Sequence, residues 1–155
     1  RVVVERVLVR RAAEVDLGFP ALLPEDYVPD VHNRLVLYKR ISSAEDEDQL
    51  RELQVELIDR FGLLPDPAKT LFECTRLKLK ATPLGITRID AGFHNGRIHL
   101  ASEPAINVAE LFRLIQSEPA IYKLEGQEKL RFNHLEEHLE TRIAWIDTLL
   151  DTLTP

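Results

Sequence analysis

The sequence predicts an α+β domain: an N-terminal helical half, then two β-hairpins forming an antiparallel sheet, with a long C-terminal helix. A change in the spacing of apolar residues along the chain supports this prediction. Apolar residues recur at helical spacing up to about residue 80, and beyond it they alternate with polar residues around two turns. Helices that precede a run of hairpins are typical of the α+β class.

The N-terminal residues 1–13 show no period, because β-branched residues and arginines are mixed in RVVVERVLVRRAA. We interpret them as a tail or linker, and we expect residues 14–155 to form a single domain. A short strand is predicted at residues 15–19. Three prolines between residues 20 and 29 then predict an extended segment, because proline fixes φ and disfavours helix in the residue before it.

Three helices are expected next, each with its own start signal. Asp30 is placed to cap the first helix, and the acidic residues 45–48 suit the positive end of the second. Gly62 is the expected C-terminal cap of that second helix. Asp66, as an N-cap followed by Pro67, predicts the start of the third helix.

The hairpins and the later helices follow from turn and cap signals. Asn95-Gly96 lies between alternating runs and predicts a tight turn, and a second turn is expected near Gly126. A capping box at Asn107 predicts the helix between the hairpins. Asn133, with a glutamate three residues later, predicts the start of the last helix by the same rule.

The composition is that of a globular domain: 155 residues, of which 45% are hydrophobic and 30% are charged. The chain begins with Arg1 and contains no methionine, so we expect a piece of a longer protein. The one cysteine, Cys74, suits a reducing compartment. No apolar run approaches the roughly 20 residues that span a bilayer. A cytoplasmic location without membrane contact is therefore expected.

No motif for catalysis or cofactor binding is present. The six glycines are isolated, so no phosphate-binding loop can be assembled from them. Cys74 lies inside an amphipathic segment, where a packed thiol is favoured over a nucleophile. We therefore predict a domain that is not an enzyme and that binds no cofactor.

Two chemical alternatives compete with this prediction. His134 and His138 fit the H-x-x-E-H zinc pattern, but no later helix can supply the distant carboxylate ligand, so no metal site is expected. Arg76, Lys78 and Lys80 form a basic cluster that favours a nucleic-acid-contacting module as the alternative function. The net charge of −6 argues against this as the main activity.

The second predicted helix carries an acidic face. Placing its residues at helical angles brings Glu52, Glu56 and Asp59 together, opposite the apolar stripe. Glu56 can pair with Arg60 four residues later, whereas Glu52 and Glu56 repel each other. This face is either an ordinary solvated surface or a patch that docks onto arginines of a partner.

Three stretches of the chain carry a resemblance to a known family. FPALLPEDYVPDVHNRLVLYKRIS at 19–42, ELIDRFGLLPDPAKTL at 56–71 and LKLKATPLGITRIDAG at 77–92 resemble the C-terminal domain of the transcription-repair coupling factor family. The likeness is nearly continuous from 16 to 92 and resumes at 141–150. Residues 1–13 match nothing in the family.

The resemblance implies a non-catalytic regulatory role. Proteins of this family are ATP-driven DNA translocases that displace stalled RNA polymerase and recruit UvrA during nucleotide excision repair. The C-terminal domain is implied to pack on the N-terminal UvrB-like module of the same polypeptide, to mask its UvrA-binding surface, and to keep the motor autoinhibited. The implied contact residues are Glu56, Asp59 and Arg60, with Glu52 beside them on the acidic face.

Overall fold

The computed structural model describes residues 12–134 and 136–155. The tail predicted at residues 1–13 therefore lies almost wholly outside the described residues. The helical half, the two hairpins and the long last helix are all confirmed. In chain order the elements are β1 (Glu14–Asp16), α1 (Val31–Ser42), α2 (Glu47–Phe61), α3 (Asp66–Ala81), a 3₁₀ turn (Thr82–Leu84), β2 (Ile86–Ala91), β3 (Asn95–Leu100), α4 (Val108–Ser117), β4 (Tyr122–Glu125), β5 (Lys129–Asn133) and α5 (Leu139–Leu153).

The sheet is mixed rather than purely antiparallel. Its strand order in the described residues is β1-β2-β3-β5-β4. The pairings within the two hairpins, and the β3–β5 pairing that joins the hairpins, are antiparallel. β1 lies parallel to β2, with Val15 opposite Ile89. Three helices separate β1 from β2 in the chain, and a long crossover of this kind is what a parallel pair requires.

The first hairpin turns earlier than the Asn95-Gly96 signal predicts. The turn runs through residues 92–94, where the amide of Gly92 donates to the Asn95 carbonyl at 2.9 Å. Gly96 lies inside β3. A Cβ atom at this position would approach the Asp90 carbonyl oxygen and the Phe132 ring to 2.3 Å. The glycine is thus needed for close packing between strands, and not for the turn.

Two hydrophobic cores meet along α3. The first lies among α1, α2 and the N-terminal half of α3, which contributes Ala68 and Phe72. The second lies between the sheet and helices α4 and α5, and to it the C-terminal half of α3 contributes Leu77 and Ala81. One helix therefore forms a wall of both cores.

A polar network ties α3 to its neighbours at the junction of the cores. Arg76 of α3 donates to both carboxylate oxygens of Asp147 on α5, at 2.9 and 2.7 Å. It also bonds Glu73 at 2.9 Å and approaches Glu47 of α2 to 3.8 Å. Lys80 adds a second cation to Asp147 at 3.2 Å. These contacts join three helices in one place.

The predicted starts at Asn133 and Asp66 need correction, whereas Asn107 caps α4 as predicted. Asn133 ends β5, and α5 begins at Leu139. The intervening segment follows the first hairpin, since the amide of His134 donates to the His94 carbonyl at 2.8 Å and that of Glu136 to the Phe93 carbonyl at 3.1 Å. Helix α3 also begins one residue earlier than predicted, with Pro65 in the cap position.

Arg142 is a buried cation that the apolar pattern of α5 does not reveal. It is 3% exposed, and its guanidinium donates to the Leu17 carbonyl, to the Ala91 carbonyl at 3.4 Å and to the Glu136 carbonyl at 2.8 Å. It also lies 4.7 Å from the centre of the Phe19 ring. Burial lowers the pKa of Arg142, and the charge of Glu136 opposes that shift. Arg142 thus connects α5 to the segment after β1, to the end of β2 and to the segment before α5.

Replacing Arg142 with methionine should destabilise the fold by about 3 kcal/mol, because several buried carbonyls lose their donor. Urea unfolding followed by circular dichroism measures the difference. The control is Arg113→Met, which removes an exposed pair with Glu110 and should cost less than about 1 kcal/mol. Equal losses in the two variants would show that the Arg142 contacts contribute no special stability.

Candidate docking surface

The local sequence of α2 fixes which of its faces points outward. Asp46 caps the helix, accepting from the Gln49 amide at 2.8 Å, and Gly62 ends it at φ 95°, a value that favours glycine. Leu50, Leu53 and Leu57 are buried in the first core. Because these leucines recur at helical spacing, the side chains on the far side of α2 face solvent.

The structure brings the predicted residues onto the outward part of α2, but with different exposures. Glu52, Asp59 and Arg60 are exposed, whereas Glu56 is half-buried, with 35% of its side chain accessible. Within the described residues, neither Glu52 nor Asp59 takes part in an ion pair. Seven residues separate them, so they lie about 10 Å apart along the helix. Both carboxylates are available to a partner.

Glu56 is already occupied, which corrects the prediction that it belongs to an uncompensated acidic face. Arg40 of α1 binds it with two hydrogen bonds of 2.6 and 2.8 Å. The predicted Arg60 pair is also present at 3.3 Å. Hydrogen bonding to Arg40 is the main cause that lowers the pKa of Glu56 to about 2. Only a fold that packs α1 beside α2 could reveal Arg40 as the partner.

Apolar side chains share this surface, and the sequence interpretation did not include them. Val55 is 57% exposed and Ile58 is 38% exposed. Val55 lies one turn from both Glu52 and Asp59, so the three form one continuous patch. Leu63, just beyond the helix, is 85% exposed. The sequence signal for this apolar surface is Val55, an apolar residue on the side of α2 opposite the buried leucines. We call Glu52, Val55, Ile58 and Asp59 the α2 patch.

The α2 patch combines two aliphatic side chains with two carboxylates, a composition suited to protein contact. Its apolar centre can exclude water, while its carboxylates can orient guanidinium groups. The one thiol of the chain lies elsewhere, on α3, where burial raises the pKa of Cys74 to about 11. A thiol held in that neutral form is a poor nucleophile at neutral pH.

The zinc alternative finds no support in the geometry. His134 and His138 precede α5 and do not share a helical face. The His134 ring stacks on Phe132 and lies 4.3 Å from the Trp145 ring, whereas His138 is exposed. Across the described residues, no group of three or more His, Cys, Asp or Glu side chains could hold a metal ion.

Two of the three cations on which the nucleic-acid alternative depends form ion pairs within the domain. Arg76 binds Asp147 and Glu73, and Lys80 binds Asp147 and, at 2.6 Å, Asp151. A phosphate would have to displace these carboxylates to reach Arg76 or Lys80, whereas Lys78 is half-buried and forms no ion pair within the described residues. A membrane span is likewise missing among the helices of the described ranges, none of which is both long and apolar enough.

Comparison with known proteins identifies the family. A family model described as the TRCF domain matches residues 17–111. The transcription-repair-coupling factor of Escherichia coli is 45% identical over 139 residues, which make up 90% of this chain and 12% of that protein. The protein of the same name from Haemophilus influenzae is 43% identical over 146 residues, 94% of this chain and 13% of that protein.

The fold comparison agrees. A crystal structure of the C-terminal domain of transcription-repair coupling factor matches with a TM-score of 0.72 and 24% identity, over 92% of this chain and 94% of that chain. The chain spans 12% and 13% of the length of the two relatives described above. The match to the family model over residues 17–111 shows that the chain belongs to the TRCF domain family.

Proposed function

We propose that residues 14–155 form a non-catalytic regulatory domain that docks through the α2 patch on the N-terminal UvrB-like module of the same polypeptide. Docking masks the UvrA-binding surface of that module and keeps the DNA translocase autoinhibited. The observation that supports this most is the α2 patch itself, where exposed Val55 lies between two free carboxylates. Contacts with RNA polymerase and DNA are left to other domains of the full-length protein.

The patch is suited to docking because α2 is held rigidly before any partner arrives. Its inner face is buried in the first core through Leu50, Leu53 and Leu57. A preorganised helix loses little conformational freedom on binding, so more of the contact energy appears as affinity. Glu52 and Asp59 then favour a partner surface that presents arginine or lysine.

Arg60 and Glu56 have supporting roles in this proposal. The Arg60 guanidinium bonds Glu56 at 3.3 Å and lies 4.8 Å from the centre of the Phe61 ring. Glu56 therefore orients Arg60 at the rim of the patch, where Arg60 can meet a carboxylate of the partner. Glu56 itself is held by Arg40 and is a positioning residue rather than a free ligand.

A charged rim also suits a contact that must open. Exposed ion pairs contribute little individually and weaken as salt rises, so such an interface orients the domain without locking it. The apolar centre of the α2 patch supplies the part of the affinity that salt does not remove. A modest change elsewhere in the full-length protein could then release the domain.

Neutralising the free carboxylates should weaken docking. We expect the double variant Glu52→Gln/Asp59→Asn to bind the isolated N-terminal module about tenfold more weakly, because two rim pairs are lost. Isothermal titration calorimetry measures the affinity. In the full-length protein, the same variant should gain UvrA binding and DNA translocation.

The matched control is Glu103→Gln/Glu118→Gln, which removes two exposed carboxylates outside α2. It should bind the module as the unmodified chain does. Equal affinity for all three proteins would rule out the α2 patch as the docking surface.

The Arg40 contact makes a separate prediction about pH. In the Arg40→Gln variant, the pKa of Glu56 should rise from about 2 towards the ordinary glutamate value of about 4.3. Carbon-13 NMR of the Glu56 carboxyl group measures it, with Glu125, whose partner is Arg97, as the unaffected control. An unchanged Glu56 pKa would contradict the assigned cause.

The sign of the stability effect follows from the direction of that shift. The folded-state pKa of Glu56 is depressed, so its ion pair stabilises the fold above the unfolded-state pKa and ceases to do so as pH falls towards 2. The stability difference between the unmodified chain and Arg40→Gln should therefore shrink between about pH 5 and pH 2. Unfolding in urea at stepped pH measures this difference.

A further inference from the structure

The outer face of the sheet carries charged residues at one end. Inward positions of β3 and β5, such as Ile98 and Leu130, are fully buried in the second core. The alternate positions point the other way, and there Arg97, Lys123 and Lys129 are exposed while Arg131 is half-buried. We call these four residues the cationic ladder.

The strand register places like charges directly opposite one another. Arg97 of β3 faces Arg131 of β5, and Arg131 faces Lys123 of β4. Like charges at directly opposed positions destabilise a sheet. With strands about 4.8 Å apart, the three cations extend over about 10 Å across the sheet.

The domain compensates this charge only at the edges of the row, where Asp90 of β2 lies opposite Arg97 and Glu125 of β4 lies opposite Lys129. Glu125 bonds Arg97 at 2.7 Å, and its pKa is lowered chiefly by that hydrogen bond, with smaller effects of Arg131 and Lys129. Elsewhere in the described part of the chain, Lys123, Lys129 and Arg131 find no ion-pair partner. The Arg131 Nε atom is buried and has no hydrogen-bond partner there. The ladder therefore has an unmatched donor as well as unmatched charge.

The opposite end of the same face is acidic. Glu14 and Asp16 are exposed on β1 and Asp90 follows on β2, so three carboxylates surround Arg88, which pairs with Glu14 and Asp90. A nucleic acid long enough to cross the sheet would meet these carboxylates and be repelled. The net charge of −6 opposes it further. A short acidic protein segment avoids both penalties, because it needs to cover only strands β3, β5 and β4.

We propose that the cationic ladder is a second docking surface, and that its partner is an acidic helical segment of a protein. A helix with carboxylates at i, i+4 and i+7 presents one about every 4.5 to 6 Å along its axis. That spacing matches the separation of neighbouring strands, so two carboxylates can meet Arg131 and Lys123, while a third approaches Arg97 beside its bond to Glu125. The surface uses no residue of the α2 patch and does not rest on the proposed function.

The test uses the 155-residue chain and an alanine-based helical peptide with glutamates at i, i+4 and i+7. A second peptide has glutamine at those positions. Fluorescence anisotropy should show binding of the glutamate peptide that weakens with added salt, and at least fivefold weaker binding of the glutamine peptide. Equal binding of the two peptides, or tighter binding of a 20-nucleotide single-stranded DNA in physiological salt, would overturn the proposal.

The matched variants separate docking from stability. Lys123→Gln/Arg131→Gln should reduce peptide affinity at least about fivefold. Because it removes a like-charge pair, it should leave the thermal midpoint unchanged or higher. The control Lys39→Gln/Lys69→Gln removes two exposed cations elsewhere and should leave affinity unchanged. Equal affinity in both double variants, or a lower midpoint that accounts for the loss in the first, would refute the assignment.

Discussion

The rest of the structure depends on the rotation of α3 about its own axis, because this helix must face two cores. Ala68 and Phe72 belong to the helical core, and Leu77 and Ala81 to the core under the sheet. Arg76 lies between these two pairs of residues. It fixes the rotation of α3 through its bidentate ion pair with Asp147 of α5 and its approach to Glu47 of α2. Hydrogen bonding to the Asp147 carboxylate raises the pKa of Arg76 further above the physiological range, in which arginine is already a cation. The orientation of α2 relative to the sheet follows from this arrangement.

The charged residues of the domain fall into two groups with different consequences. Arg76, Arg142 and the Arg40–Glu56 pair are used internally, where they connect elements far apart in the sequence. The α2 patch and the cationic ladder keep charge that the described residues neutralise only in part. Surface ion pairs contribute little to stability. The charges of the second group are therefore better suited to binding a partner than to stabilising the fold. Because the two surfaces carry opposite signs, they favour partners of opposite charge.

Much of the fold could be predicted from the sequence, because helix caps, periodicity and hairpin spacing are local signals. The errors share one cause, which is packing between distant segments. Gly96 resembles a turn residue, but it is a glycine because the Phe132 ring from another strand occupies the space. Arg142 resembles a solvated helix residue until carbonyls from other segments surround it. For the candidate site, the face of α2 was predictable, whereas the loss of Glu56 to Arg40 required the tertiary structure.

Methyl cross-saturation NMR tests the docking of the α2 patch most directly. A deuterated chain with protonated valine, leucine and isoleucine methyl groups is mixed with the protonated N-terminal UvrB-like module, whose signals are then saturated. We expect the methyl signals of Val55 and Ile58 to lose intensity, and those of Val108, a similarly exposed valine on α4, to keep it. Loss of intensity at Val108 with none at Val55 and Ile58 would contradict the account, because the module would then bind a different face.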